Sequence, residues 1–142
     1  MAHGLLEDKL KKEGINWKVD SAGTSAYHQG EPPDSRAISC MKLHGIDIQH
    51  QQSRPFTVED FERFDLIFCM DKSNLRNVLA LAKNKAQAAK VKLLLHEIPD
   101  ELEEEVPDPY YGGIDGFESV YKLLDCATDW IIKNYSNMNH HV

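Results

Sequence analysis

The chain has 142 residues, 42% hydrophobic and 27% charged, with a net charge of −7 from 16 basic and 23 acidic side chains. That is one domain's worth of polypeptide, long enough to bury a core, and its acidic balance argues against a general affinity for nucleic acid or acidic membrane surfaces. No apolar run approaches the ~20 residues that span a bilayer, and the start, MAHGLLEDKLKKEG, lacks the basic-then-apolar order of a signal peptide.

In chain order, Met1 to Glu13 reads as a helix, with Leu5, Leu6 and Leu10 on one stripe and Gly14 as its C-cap. Trp17 to Ser21 alternates and reads as a short strand. Ala22 to Pro33 is a loop broken by Gly23, Gly30, Pro32 and Pro33. Asp34 is placed to cap a helix that runs to Leu43 and ends at Gly45. Thr57 caps a further short helix, with Asp60 three residues on as a weaker form of capping box. Leu66-Ile-Phe-Cys-Met70 is a continuous apolar run that suits a strand buried on both faces. A helix follows from Asp71 to Lys83, then a strand over Val91 to Leu95, a solvated acidic run over Asp100 to Glu105, and an amphipathic helix from Phe117 to Asn134. The tail, SNMNHHV, is polar, and its His140-His141 pair reads as frayed chain rather than a metal site. Strands alternating with helices imply an α/β domain with a mainly parallel sheet, whose ligands sit beyond the carboxyl ends of the strands.

The stretch VPDPYYGG at residues 106–113 carries the sharpest chemical signal. Pro107 and Pro109 lock their own φ and drive the preceding residues out of helix, so Asp108 sits on a stiff, extended segment. Tyr110 and Tyr111 add flat apolar faces with polar tips. The residues alone admit two readings: a general acid at the rim of a pocket, or a proline-rich surface turn before a helix. Ser21, Asp71 and Asp108 all follow a predicted strand on the same side of the sheet, which favours the pocket. The three scattered cysteines, Cys40, Cys69 and Cys126, read as reduced thiols of a cytoplasmic protein rather than a disulfide framework or zinc knuckle.

DSAGTSAYHQGEPPDSRA, then HGI, then FDLIFCMDKSNLR, then VPDPYYGG, in that order, resembles the low-molecular-weight protein tyrosine phosphatases over residues 1 to about 134. The resemblance implies a four-stranded parallel sheet flanked by helices. It also implies hydrolysis of a phosphotyrosine monoester through a cysteinyl-phosphate, with no cofactor or metal. By that resemblance Asp108 is the general acid that protonates the leaving tyrosyl oxygen and later the base on water. Tyr27, Tyr110 and Tyr111 are walls of the substrate cleft, and Ser21 and His44 brace the phosphate-binding loop. Asp71, Ser73 and Asn74 open a helix beside the site; on their own residues they read as an ordinary cap, and His44 as the partner of a helix C-terminus.

The family's phosphate-binding loop, Cys-x5-Arg followed by Ser or Thr, has no counterpart here. Six positions after Cys40, Cys69 and Cys126 stand Ile46, Leu75 and Ile132. MAHGLL resembles the segment just past that loop, so the expectation is a single domain over residues 1–135, incomplete at its N-terminus and lacking the first strand, with a polar tail over 136–142. Such a chain is expected to be inactive as written. It is also expected to fill the strand's slot with a partner chain, a rearranged segment or residues outside this sequence. The substrate class is a phosphotyrosine protein or a small aryl phosphate. The alternatives are a truncated, catalytically dead isoform acting as an interaction protein, and an arsenate reductase of the same fold.

Overall fold

The computed structural model describes residues 1–24, 30–109, 113–136 and 141–142, with side chains in the last helix from Asp115 onward. It is an α/β assembly: α1 (Ala2–Glu13), α2 (Ser35–Leu43), α3 (Asp60–Arg63), β1 (Ile67–Cys69), α4 (Lys72–Leu81), α5 (Lys85–Ala89), β2 (Val91–Leu93), a 3-10 turn (Leu95–Glu97) and α6 (Gly113–Tyr135). No helix among the described residues is long and apolar enough to cross a membrane.

Local chemistry sets the helix ends. Gly14 closes α1 in the left-handed region at φ 69°, where a residue without Cβ meets no penalty, and its N–H reaches the Leu10 and Lys11 carbonyls. The Asp34 carboxylate caps α2 by accepting from the Arg36 N–H at 2.8 Å, and Asp71 caps α4 through the Asn74 N–H at 2.7 Å. Asp60 completes half of the expected capping box, accepting from the Thr57 N–H at 2.9 Å.

The inner face of α6 carries Phe117, Val120, Leu124, Ala127 and Ile131, all buried. They pack with Leu5, Leu6 and Leu10 of α1 and with Met41 of α2 in one core; burying each large side chain contributes roughly 1.5–3 kcal/mol. A smaller cluster of Phe61, Cys69 and Val78 sits under α4. Lys9 pins α1 to α6, 2.7 Å from Asp125 and 2.9 Å from Asp129.

Gly4 marks where α1 comes closest to the chain after α2. A Cβ there would stand 2.5 Å from Ile48 Cγ2, and Ile48 is fully buried. Gly4→Ala should therefore destabilise the fold. Overpacking of about 1–3 kcal/mol outweighs the gain of roughly 1 kcal/mol in helix propensity. The thermal midpoint is expected to fall by a few degrees, and a rise would contradict this packing.

The sheet is smaller than the sequence suggests. β1 and β2 pair in parallel with Ile67 opposite Val91 and Cys69 opposite Leu93, joined through α4 and α5. Trp17 to Ser21 forms no strand; it makes one bridge, Lys18 to His141. Leu94 and Leu95, expected to extend β2, turn into the 3-10 segment with both side chains buried. Four strands are not present among the described residues.

The chain's last two residues are not frayed. His141 and Val142 lie between two segments and bond to both. The Asp65 and Leu66 N–H groups donate to the His141 carbonyl at 2.8 and 3.3 Å, the Val142 N–H donates to Lys18 O at 2.8 Å, and the Asp20 N–H donates to Val142 O at 3.0 Å. In a parallel ladder alternate residues face opposite edges, so Leu66 and Phe68 turn their backbone away from β2. Among the described residues only the tail bonds to that edge, at its start.

Candidate active site

A cavity of about 750 Å³ opens beside β1. Its apolar part is lined by Val19, Phe68, Leu94, Val120 and Leu124, with Val142 among the lining residues. Its polar part collects Met1 to His3 at the start of α1, Asp20 and Ser21, Asp71 and Asn74, and the Pro107-Asp108-Pro109 bend. Asp108 and Ser21 therefore share one cavity with the N-terminus of a 12-residue helix, the end that favours negative charge.

The bend is held at both ends. The Val106 N–H donates to Met70 O at 2.8 Å, tying it to the end of β1. On the other side Gly116 of α6 comes so close that a Cβ would lie 3.1 Å from Pro109 O. Asp108 itself is exposed. The acidic run before it has a structural use: Glu105 accepts from the Lys72 N–H at 2.9 Å, serving the first turn of α4.

Ser21 is braced by groups the sequence did not single out. Its hydroxyl lies 2.8 Å from His3 Nδ1, and His3 Nε2 lies 2.9 Å from Glu7. Burial pushes the His3 imidazole below its ordinary range, partly offset by Glu7 and Asp20. A neutral ring fits both bonds, with Nε2–H donating to Glu7 and Nδ1 accepting from Ser21. Asp20 accepts from the Ser21 N–H at 2.8 Å and from Arg54 Nε at 3.0 Å. Arg54 in turn forks onto Asp60 at 2.9 and 3.2 Å, and Asp60 is 1% exposed. Thr24 is joined to Asn74 at 3.2 Å, so Asp71 and Asn74 serve both the cap of α4 and the cavity rim.

His44 stands apart. It does not line the cavity; its ring bonds Glu118 of α6 at 3.2 Å and stacks on Tyr121 at 3.6 Å. Tyr27, Tyr110 and Tyr111 lie outside the described residues.

Two features limit what the cavity can do unaided. Among its described lining residues Cys69 is the one thiol, and burial, with Asp71 adding, pushes it up to about 11. It is protonated at neutral pH, the opposite of a nucleophilic thiolate. Arg54 is the one guanidinium among them, and its nitrogens are bonded to Asp20, Asp60 and the Pro55 carbonyl. All three cysteines are free, with Cys40 buried and Cys126 exposed; neither lines the cavity.

Comparison with known proteins shows the family to which the chain belongs. Residues 1–138 match the family model described as low molecular weight phosphotyrosine protein phosphatase. The chain is 44% identical over 139 residues to the rat protein of that name, covering 95% of this chain and 87% of the relative. A protein tyrosine phosphatase from Entamoeba histolytica superposes with a TM-score of 0.85 at 30% identity, covering 96% of this chain and 89% of that one. YfkJ from Bacillus subtilis superposes at 0.88 with 29% identity, covering 95% and 84%. A match over nearly the whole chain, in sequence and in backbone alike, makes this polypeptide a member of the low molecular weight phosphotyrosine protein phosphatase family, whose members are hydrolases.

Proposed function

We propose that this domain serves phosphotyrosine monoester hydrolysis with Asp108 as the proton donor, and that the polypeptide as written is inactive by itself. The observation that carries the reading is the shared cavity: Asp108, Ser21 and the start of α1 converge on it, while its thiol is protonated and its arginine engaged. In the reaction a thiolate attacks phosphorus, the P–O bond to the aryl group breaks, and the departing oxygen takes the Asp108 proton. Water then attacks the phosphocysteine, gives its proton to Asp108, and phosphate leaves as the thiolate is regenerated. The thiolate and an arginine fork for the equatorial oxygens must come from a Cys-x5-Arg segment, which this sequence lacks.

Ser21, held by His3, is suited to brace such a segment. Tyr27, Tyr110 and Tyr111 are proposed as the aromatic walls for a phosphotyrosine protein or a small aryl phosphate. His44, also expected to brace that segment, is engaged by Glu118 and Tyr121 and does not itself line the cavity. A segment bringing a strand, whether a partner chain or a preceding stretch of polypeptide, has a place beside Phe68, where it would displace His141 and Val142. Free thiols suit a reducing, cytoplasmic compartment.

The reading as a catalytically dead interaction protein draws support from that seated tail, which lets the chain close part of its free edge. An arsenate reductase draws none, since Cys40 and Cys126 do not share the cavity with Cys69. The test is para-nitrophenyl phosphate with the purified 142-residue chain: no turnover above buffer is expected, and rates ordinary for phosphatases would refute the proposal.

A further inference from the structure

We infer that Cys40, His44 and Glu118 form a binding site for a zinc-class metal ion, clamping the end of α2 to α6. Cys40 and His44 are one helical turn apart, so both project from the same face at the C-terminal end of α2. Glu118 of α6 faces them. Its Oε1 lies 3.4 Å from Cys40 Sγ, both its oxygens lie 3.2 Å from His44 Nε2, and the three ligand atoms fall within 4.8 Å of one another. A tetrahedral zinc ion with bonds of 2.0–2.3 Å holds its ligand atoms roughly 3.3–3.8 Å apart. The carboxylate-to-sulfur and carboxylate-to-imidazole spacings are thus already close to a tetrahedron's edges, and the sulfur and the imidazole nitrogen lie within 4.8 Å of each other.

The imidazole is oriented in advance. It stacks on Tyr121 with centroids 3.6 Å apart and planes 8° from parallel, which aims Nε2 at the carboxylate. A thiolate with an imidazole and one carboxylate selects zinc or a comparable borderline ion over magnesium or calcium, which take oxygen ligands. The His44 and Glu118 side chains are 33% and 34% exposed, which leaves a path for the ion and room for water as a fourth ligand. On binding, the Cys40 thiol releases its proton to solvent as the Zn–S bond forms, and the His44–Glu118 contact is exchanged for Zn–N and Zn–O bonds. None of the three residues lines the Asp108 cavity, so the site stands or falls independently of the phosphatase reading.

Cobalt(II) titrated into the whole chain, with a non-thiol reductant, reads the site directly. One equivalent should bind with a thiolate-to-cobalt charge-transfer absorption that zinc abolishes by displacement. Cys40→Ser should remove that absorption, Glu118→Gln should weaken zinc at least tenfold, and Cys126→Ser should change neither. Zinc should raise the thermal midpoint of the parent chain and of Cys126→Ser but not of Cys40→Ser. Should Cys40→Ser fail to fold, Glu118→Gln, a change at a solvent-accessible carboxylate, carries the test alone. Absence of the absorption in the parent chain, or zinc affinity unchanged in Glu118→Gln, overturns the site, as does an absorption lost in Cys126→Ser and kept in Cys40→Ser.

Discussion

Asp108→Asn, made in a chain extended by a strand and a Cys-x5-Arg-Ser loop, is expected to lower turnover of an aryl phosphate with a basic leaving group by roughly 10²–10⁴-fold. The reason lies in the bond that breaks. A tyrosyl oxygen leaving as phenolate carries full negative charge unless a proton arrives as the P–O bond lengthens. Asparagine occupies the same space on the same proline-locked bend but has no acidic proton to give. KM should change little, because Asp108 is exposed at the rim and on the proposed reading the phosphate would be held by the added loop and the start of α1. A leaving group acidic enough to depart unaided should be nearly indifferent to the substitution. Equal losses with both kinds of substrate would mean that Asp108 positions something instead of delivering a proton.

Asp60→Ala is expected to cost about 3 kcal/mol. The carboxylate is 1% exposed and holds the Arg54 fork and the Thr57 N–H together. Removing one partner of a buried ion pair typically costs ~3–5 kcal/mol. The lower end applies because the Arg54 side chain is 29% exposed and water screens the charge left behind. Against a domain stability of ~5–15 kcal/mol the loss is large, and it should appear as a lower urea midpoint with an unchanged slope. It should also reach the cavity, since Arg54 anchors Asp20 and Asp20 anchors the Ser21 N–H. Replacing both members, Arg54→Met with Asp60→Leu, should be less harmful than Asp60→Ala alone, as it leaves no unpaired charge. A shift of less than about 0.5 kcal/mol for the single change would show that the pair is solvated.

What could be read from the sequence was local. Asp34 and Asp71 announced two helix starts because a cap needs only its own next three residues, and Gly14 announced a helix end for the same reason. Of the expected Thr57–Asp60 capping box only the return bond formed: Asp60 accepts from the Thr57 N–H, but α3 begins after Glu59 with no side-chain cap, and the carboxylate gained a second duty with Arg54 that no local pattern encodes. α5 was missed with its signal in view. Asn84 accepts from the Gln87 N–H and Gln87 returns to the Lys83 N–H, both at 2.8 Å, and an Asn followed three residues later by Gln is a helix-start signature.

The parts that stayed hidden depend on residues far apart in the chain. His3 meets Ser21 across 18 positions, Arg54 meets Asp20 across 34, His44 meets Glu118 across 74, and His141 meets Asp65 across 76. Each such contact exists only once the helices have packed. The strand expected at Trp17 to Ser21 failed for a related reason: alternation makes a segment fit to pair, but a strand needs a backbone neighbour along its length, and among the described residues only His141 and Val142 pair with its backbone. The place of Asp108 at the cavity was legible from its bend, which two prolines stiffen whatever surrounds it.

On the proposed reading the Asp108 cavity is chemically competent in every part except the sulfur and guanidinium that act on phosphorus. The most direct measurement is the rate of para-nitrophenyl phosphate hydrolysis by two purified proteins side by side: the 142-residue chain, and the same chain extended by a strand and a Cys-x5-Arg-Ser loop. Nothing above background is expected from the first and saturable turnover from the second. Comparable turnover by both would contradict that reading.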